Sequence, residues 1–192
     1  MQGVTFNGLS LAASPGRVMT PRPATEQLVS AAVDVVGSRA ARVVDVGTGS
    51  GAIAVAVAEA APNACVHATD MSPRAVELAR ANARSHGLSD RVSVYHGDLL
   101  DPVPGPIDVV IANLPYLPAS DAALYPDLAG EPASAVFASG DGLGPYRRLL
   151  EACATRLRGD GRVIIQLHRQ VLEATKAELP ALQARFELEL AA

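Results

Sequence analysis

A chain of 192 residues with 49% hydrophobic and 19% charged residues is long enough to bury a core and too apolar to be intrinsically disordered. Its net charge of −4 argues against a nonspecific nucleic-acid binder, because such proteins usually carry a basic surface. No apolar run approaches the length of a membrane span, and we expect neither a signal peptide nor a metal site. We therefore expect a single domain over residues 1–192, located in the cytoplasm.

Residues 1–25 predict an N-terminal β-hairpin followed by a proline-flanked arginine. Hydrophobicity alternates loosely over residues 4–11, which contain an Asn-Gly pair typical of tight hairpin turns. The prolines of Pro21-Arg22-Pro23 favour an extended backbone. Arg22 is expected to be either a surface charge held by these prolines or part of a lid over a ligand.

A helix over residues 26–36, with Thr25 as its predicted cap, leads to the most informative stretch of the chain. Residues 42–46 form a β-branched apolar run typical of a buried parallel strand. The run continues into a turn with three alternating glycines, and a segment rich in Ala, Val and Ile follows. Glycines allow the backbone to approach a ligand closely, and a helix N-terminus offers free N–H groups. This strand, turn and helix predict the opening of a nucleotide-binding α/β unit.

The glycine spacing narrows the choice of ligand. A phosphate-binding Walker loop is excluded, because no Gly-Lys-Ser/Thr follows the turn. A dinucleotide fingerprint fits as Gly47, Gly49 and Ala52, so a nicotinamide oxidoreductase stays open as an alternative. A tight turn that binds no ligand is the other alternative. S-adenosylmethionine fits better, since an acidic residue precedes the first glycine by two positions. The predicted cofactor-binding residues of this turn are Asp45, Gly47, Thr48, Gly49, Ser50 and Gly51.

Acidic residues follow the next two predicted strands. The strand over 64–69 ends at Asp70, where a carboxylate can accept from both hydroxyls of a ribose. A helix cap is the alternative role for Asp70, but Ser72 can cap the helix that follows. The strand over 91–95 leads to Asp98, which we expect to accept from an adenine amino group unless it is a plain loop residue. Leu99 could then cover the face of the ring.

A second decisive pattern, Asn113-Leu114-Pro115-Tyr116, ends the strand predicted over 107–112. Pro115 cannot continue a central strand, so the chain turns at the carboxyl end of a parallel strand, where open α/β sheets bind ligands. The Asn113 side-chain oxygen and the Leu114 carbonyl can together accept both hydrogens of a planar –NH2 group, and Tyr116 can stack on that group. We predict that these four residues are catalytic and that Asn113 also contacts the cofactor; an ordinary turn is the alternative.

The rest of the chain completes an α/β pattern. Residues 117–144 show no clean period and predict a loop that shapes the substrate pocket. A helix over 145–157, a strand at 163–165, a helix over 171–179 and a last strand around 186–190 follow. The predicted fold is therefore α/β, a Rossmann-like, doubly wound and mostly parallel sheet flanked by helices, with an N-terminal β-hairpin.

These motifs together resemble class I S-adenosylmethionine-dependent methyltransferases, and among them the HemK/PrmC group. That group methylates the glutamine of a Gly-Gly-Gln motif in peptide-chain release factors. The resemblance covers nearly the whole chain and includes Phe6-Asn7-Gly8, residues 21–26, the glycine turn, Asp70-Met71-Ser72-Pro73, residues 113–116, Glu131-Pro132, Gly140-Asp141-Gly142-Leu143 and Gln170. It implies S-adenosylmethionine as cofactor, Met71 as a further cofactor contact, and a release-factor protein as substrate.

The chain also departs from this family. Leu114 stands where the family usually has proline, Ala24 where it usually has glutamate, and Gln166 where an acidic residue is common. The helical N-terminal domain of the bacterial release-factor enzymes has no counterpart in the sequence. Asn-Leu-Pro-Tyr also occurs in ribosomal RNA adenine methyltransferases. Two alternatives therefore stay open: an N6-adenine methyltransferase acting on RNA or DNA, and a non-catalytic remnant that only binds the cofactor.

Overall fold

The computed structural model describes residues 2–167 and 187–191. Its strands are β1 (Gln2–Phe6), β2 (Leu9–Ala13), β3 (Arg42–Val46), β4 (Cys65–Asp70), β5 (Val92–His96), β6 (Ile107–Ala112), β7 (Leu117–Pro118), β8 (Phe137–Ala138), β9 (Leu157–Gln166) and β10 (Glu187–Ala191). Its helices are α1 (Glu26–Val36), α2 (Ala52–Ala60), α3 (Pro73–Ser85), α4 (Ala133–Val136) and α5 (Gly144–Arg156). Short 3-10 helices span Pro23–Thr25, Ala119–Leu124 and Pro126–Leu128. The helix predicted over 171–179 lies outside the described residues.

The central sheet has six strands in the order β10-β9-β6-β3-β4-β5, and every pairing in it is parallel. After β3 the chain winds outward through β4 and β5, and it then returns to the other side of β3 with β6. The strand order therefore reverses between β3 and β6, as it does in doubly wound folds. β1 and β2 form a separate antiparallel hairpin. The predicted Rossmann-like fold with an N-terminal hairpin is confirmed.

Each central strand contributes to two apolar layers. Successive residues of a strand point to opposite faces of the sheet, and in β3, in β6 and in residues 163–166 of β9 both faces are buried. On one face Val43, Val109 and Ile164 pack in a cluster with residues of α1, α2 and α3. On the other face Val44, Val110 and Ile165 pack with residues of α5. The continuous apolar runs in the sequence follow from this burial on both sides.

At the start of two helices the structure contradicts one local expectation and confirms another. Thr25 lies in the 3-10 helix before α1, with φ −76° and ψ −14°, and makes no side-chain capping bond, so the predicted helix cap is wrong. Ser72 does cap α3, because its Oγ accepts from the Ala75 N–H at 3.4 Å.

The segment 117–144 is a folded loop built from short elements. β7 and β8 form a two-stranded parallel ladder in which Leu117 pairs with Phe137. Gly142, with φ +86°, lies so close to the backbone of Tyr116 that a Cβ atom would overlap the Tyr116 carbonyl. These elements are too short to produce a readable period in the sequence, and the close contact at Gly142 returns the loop to the end of β6.

Asp45 on β3 is a fully buried carboxylate beneath the glycine turn. Its Oδ2 accepts from the Thr48 hydroxyl at 2.6 Å and from the Ala54 N–H at 3.2 Å, which ties the turn to the first turn of α2. Its Oδ1 is buried without a partner in the described part of the chain. Burial raises the pKa of Asp45 from 3.8 to about 7, and the bonds from Thr48 and Ala54 counteract only part of that rise.

We expect this carboxyl to make folding stability depend on pH. Because its pKa is raised in the folded state, the folded protein holds the proton more tightly, and this stabilisation is lost as pH rises through about 7. Relative to Asp45→Asn, the wild type should lose about 2.5 kcal/mol of unfolding free energy between pH 5 and pH 8. Urea unfolding of both proteins at the two pH values measures this. The same pH dependence in both proteins would contradict the raised pKa.

Candidate active site

Two loops begin side by side where the strand order reverses. Val46 at the end of β3 pairs with Ala112 at the end of β6, so Gly47 and Asn113 leave the sheet at the same level. Two cavities open there, with volumes of about 400 Å³ and about 430 Å³. Both volumes are within the range of small-molecule sites.

The first cavity collects most of the residues that the sequence predicts to bind a cofactor. It lies across the carboxyl ends of β3, β4, β5 and β6. Its walls include the predicted residues Gly47, Gly49, Asp70, Met71, Asp98, Leu99, Asn113 and Leu114. Arg17, Val18, Met19 and Arg148 also line it and were not predicted from the sequence.

Four residues of the glycine turn lie behind this wall. Asp45, Thr48, Ser50 and Gly51 are buried and line neither cavity. Their cofactor-binding role stays a prediction, and their observed contacts support the turn itself. Gly47, with φ +72°, shows why the turn needs glycine, since a Cβ there would lie 2.7 Å from Leu114 Cδ2. The absent side chain lets the two loops pack against each other.

Asp70 connects the glycine turn to the start of α3. Its Oδ2 accepts from the Gly49 N–H at 2.9 Å, and its Oδ1 accepts from the Ser72 N–H at 2.8 Å. Burial raises the pKa of Asp70, while these two bonds and the nearby His96 act in the opposite direction. Each carboxylate oxygen can accept more than one hydrogen bond, so Asp70 keeps acceptor capacity toward the cavity.

Asp98 and Leu99 form the opposite side of the first cavity. Asp98 Oδ2 pairs with the guanidinium of Arg148 on α5, and Asp98 Oδ1 is buried with no partner among the described residues. A buried acceptor without a donor is costly, and an N–H donor on a ligand would satisfy it. Leu99 has φ +44°, a conformation that is uncommon for a bulky side chain and is often found at functional sites.

The second cavity lies on the other side of the turn after β6. It is lined by all four residues of the predicted catalytic group, Asn113, Leu114, Pro115 and Tyr116, and by residues of the N-terminal segment, of the 117–144 loop and of the end of β9. Asn113, Leu114 and Pro115 line both cavities. This turn is therefore a wall shared by two neighbouring compartments.

The Asn113 side chain is oriented by a residue that sequence reasoning had assigned elsewhere. Its Nδ2 donates to the Thr25 hydroxyl at 3.3 Å, which leaves Oδ1 as an acceptor. Thr25 and Asn113 are 88 residues apart, so no spacing in the sequence links them. The contact gives a physical role to the segment between the hairpin and α1.

Tyr116 and Arg22 both line the second cavity. Burial raises the pKa of the Tyr116 phenol, the Arg22 charge lowers it, and Tyr125 raises it further, so the phenol is neutral at pH 7. The Arg22 guanidinium lies 3.9 Å from the Glu131 carboxylate and keeps 42% of its side chain exposed. The structure thus places Arg22 beside the cavity as a paired, partly exposed charge.

The described residues contain neither a metal-binding cluster nor a membrane-spanning helix. No group of three or more His, Cys, Asp and Glu in that part of the chain is arranged to hold a metal ion. Among the helices that the structure describes, none is both long and apolar enough to span a bilayer.

Comparison with known proteins gives the geometry a context. The family model "Methyltransferase small domain" matches residues 23–125. A release factor glutamine methyltransferase of Gloeobacter violaceus is 45% identical over 166 residues, covering 84% of this chain and 58% of that protein. One of Deinococcus radiodurans is 38% identical over 178 residues, covering 92% and 63%. The chain thus spans about three fifths of the length of these relatives.

Solved structures support the fold. The hMettl16 catalytic domain, in complex with an RNA hairpin of the MAT2A 3'UTR, aligns with a TM-score of 0.70 and 20% identity over 91% of this chain and 67% of that one. The ribosomal protein L11 methylase of Lactobacillus delbrueckii aligns with a TM-score of 0.59 and 23% identity over 86% and 69%. At these identities the likeness concerns the fold alone. Together with the curated relatives, the family match over residues 23–125 confirms the resemblance to the HemK/PrmC group, and the chain belongs to the methyltransferase small domain family.

Proposed function

We propose that this chain is an S-adenosylmethionine-dependent N-methyltransferase that methylates a glutamine side-chain amide in a peptide-chain release factor. The observation that carries the proposal is the shared wall at residues 113–115, which lines both cavities. In a methyl transfer the methyl donor and the acceptor nitrogen must be held next to each other. A wall common to two cavities can hold them in this way. Relatives named release factor glutamine methyltransferase support the choice of acceptor, and a substrate used in translation would place the reaction in the cytoplasm.

The first cavity suits S-adenosylmethionine. That cofactor supplies a methyl group on a sulfonium sulfur, which a nitrogen nucleophile can displace. In the proposed complex Asp70 would accept from the ribose hydroxyls, and Asp98 Oδ1, which has no partner among the described residues, would accept from the adenine amino group. Met71 and Leu99, which line the same cavity, would contact the adenosine part, and the backbone of Gly47 and Gly49 would lie against the remainder. In this scheme no side chain of the first cavity transfers a proton.

The second cavity is the proposed acceptor site. An amide nitrogen is a poor nucleophile, because its lone pair is delocalised into the carbonyl. Asn113 Oδ1 and the Leu114 carbonyl, accepting the two N–H groups, would orient the nitrogen and return electron density to it. Tyr116, also in this cavity, would stack on the planar amide. Well-oriented reactants can gain up to about 7–11 kcal/mol from positioning. Forming the nitrogen–carbon bond would break the carbon–sulfur bond and release a neutral thioether, and the nitrogen would lose its surplus proton to water after the transfer, so the scheme needs no general base.

An adenine amino group would meet the same acceptors, and this makes an RNA or DNA substrate the main alternative. The net charge of −4 favours a protein acceptor over nucleic acid. A remnant that binds the cofactor without turnover is the second alternative, because Leu114 replaces the proline usual in the family.

The first test is methylation of a release factor. Incubating this protein with S-adenosylmethionine and a release factor should add a single methyl group to the Gly-Gly-Gln glutamine, detected by intact-mass and peptide mass spectrometry. A release factor with that glutamine changed to alanine is the matched control and should gain no methyl group. Cofactor binding by calorimetry without any methyl transfer to the release factor would overturn the proposed substrate. Methylation of an adenine-containing RNA instead would favour the nucleic-acid alternative.

Asn113→Ala tests the shared wall. Removing one oriented acceptor should lower kcat about 100- to 1,000-fold, the usual effect of losing a polar group that stabilises a transition state. The Kd for S-adenosylhomocysteine should change far less, because the other residues of the first cavity remain. Asn63→Ala, at an exposed asparagine that donates to the Ser38 carbonyl, is the control and should leave both values unchanged. Equal losses in turnover and cofactor affinity would contradict the assignment.

Thr25 allows a finer test of the same site. Thr25→Val keeps the side-chain shape but removes the hydroxyl that accepts from Asn113, so the amide should rotate more freely. We expect kcat to fall about tenfold, which corresponds to about 1.4 kcal/mol. Thr25→Ser keeps the hydroxyl and should retain most of the turnover. Steady-state kinetics with the release factor compare the two variants, and an equal loss in both would show that packing, not the hydrogen bond, matters.

A further inference from the structure

The hydroxyl of Tyr146 on α5 lies at the centre of a small buried network. It accepts from the Leu114 N–H at 3.0 Å and donates to the Gln166 carbonyl at 2.8 Å. It also lies 3.3 Å from the Leu114 carbonyl oxygen. Tyr146 is only 3% exposed, and a phenol has one donor and two acceptor positions, so these contacts use most of its capacity.

This network begins where the pairing of β6 and β9 ends. The last pair of that ladder is Ala112 with Ile165, and no further backbone pairing between the two strands follows. The Tyr146 hydroxyl continues the connection by side-chain bonds to Leu114 and Gln166. The ring is fixed by the apolar cluster that it shares with Leu149 and Cys153. A rigid helix therefore holds the turn that forms the wall between the cavities.

The substitution at position 114 explains why such a bond is needed. Proline, usual at this position in the family, has a fixed φ and no N–H. Leucine has a free φ and an N–H, and Leu114 is 7% exposed, so the N–H has little access to water. A buried N–H without a partner costs stability and would favour other conformations of the turn. The Tyr146 hydroxyl supplies the missing partner.

We propose that Tyr146 is a positioning residue: its hydroxyl fixes the Leu114 peptide, and with it the two acceptors of the shared wall. The hydrogen bond restrains a peptide in which leucine leaves φ free and brings a buried N–H. The Leu114 carbonyl has two lone pairs, and the Tyr146 hydroxyl oxygen lies 2.8 Å from the Gln166 carbonyl but 3.3 Å from the Leu114 carbonyl, so the latter keeps capacity for an N–H of the methyl acceptor. The effect on turnover rests on the proposed function, whereas the hydrogen bond itself does not.

Tyr146→Phe should therefore affect turnover more than binding. The Leu114 side chain packs against Gly47 whether or not the hydroxyl is present, so the wall stays in place while its peptide loosens. We expect kcat to fall about 10- to 100-fold, with the Kd for S-adenosylhomocysteine changed less than about threefold. Tyr95→Phe is the matched control, because its hydroxyl contacts His67 Nδ1 at 3.1 Å between β4 and β5. Tyr95→Phe should leave kcat within about twofold of the wild-type value.

A double-mutant cycle separates positioning from general destabilisation. Leu114→Pro removes the N–H that needs the hydroxyl, so in that background Tyr146→Phe should lower kcat less than about threefold. A merely structural tyrosine would cause the same loss in both backgrounds, and that result would overturn the proposal.

Amide hydrogen exchange tests the bond without any acceptor substrate. In Tyr146→Phe the Leu114 amide should exchange at least about tenfold faster, while the Val110 amide in the β6 ladder should change little. If Leu114→Pro does not fold, the exchange measurement alone still tests the role of Tyr146. Unchanged exchange would overturn the proposal, as would faster exchange with unchanged kcat in an enzyme that methylates the release factor. If the wild-type protein does not methylate the release factor, only the proposed substrate is contradicted. The exchange rate of the Leu114 amide would still test the role of Tyr146.

Discussion

The parallel pairing of β3 with β6 is the constraint on which the site depends. Val46 lies opposite Ala112, so the glycine turn and the Asn113 turn leave the sheet together. A register shift of two residues would move one turn by roughly 7 Å relative to the other, since a strand rises about 3.3 Å per residue. The contact of Gly47 with Leu114 would then be lost. Burial of both strands on both faces fixes this register, because a slip would expose apolar residues.

The same region contains groups that are unfavourable for folding alone. Within the described part of the chain, Asp45 is a buried carboxyl with one oxygen that has no hydrogen-bond partner, and Asp98 also has such an oxygen. Such groups reduce the stability of a folded chain, and natural proteins tend to keep them at functional sites. The two differ in position, because Asp98 lines the first cavity while Asp45 lies beneath the turn. We interpret Asp98 as an unsatisfied acceptor for a ligand and Asp45 as the internal support of the glycine turn.

Local patterns in the sequence predicted the framework well. The helix over 26–36 and the strand over 107–112 have the predicted bounds, because burial imposes a period that neighbouring residues reveal. The contacts between distant segments were missed. Thr25 was predicted to cap a helix but bonds to Asn113, and Arg148 pairs with Asp98 across 50 residues. Tyr146 lies in the helix predicted over 145–157, but the period that predicts the helix reports its buried ring and not the partners of its hydroxyl.

The two cavities also differ in what builds them. The first is formed by strand ends that the doubly wound fold brings together, and the ribosomal protein L11 methylase and the hMettl16 catalytic domain share this fold. The second is closed by the N-terminal segment and the 117–144 loop, which meet at Glu131. That carboxylate accepts from the Thr20 N–H at 3.1 Å and lies 3.9 Å from the Arg22 guanidinium. Because these segments contribute little to the sheet, they can change shape without disturbing the strand ends. Under the proposed function, selection for a new acceptor would therefore act on the residues around Arg22 and Glu131, while the strand ends that build the first cavity stay the same.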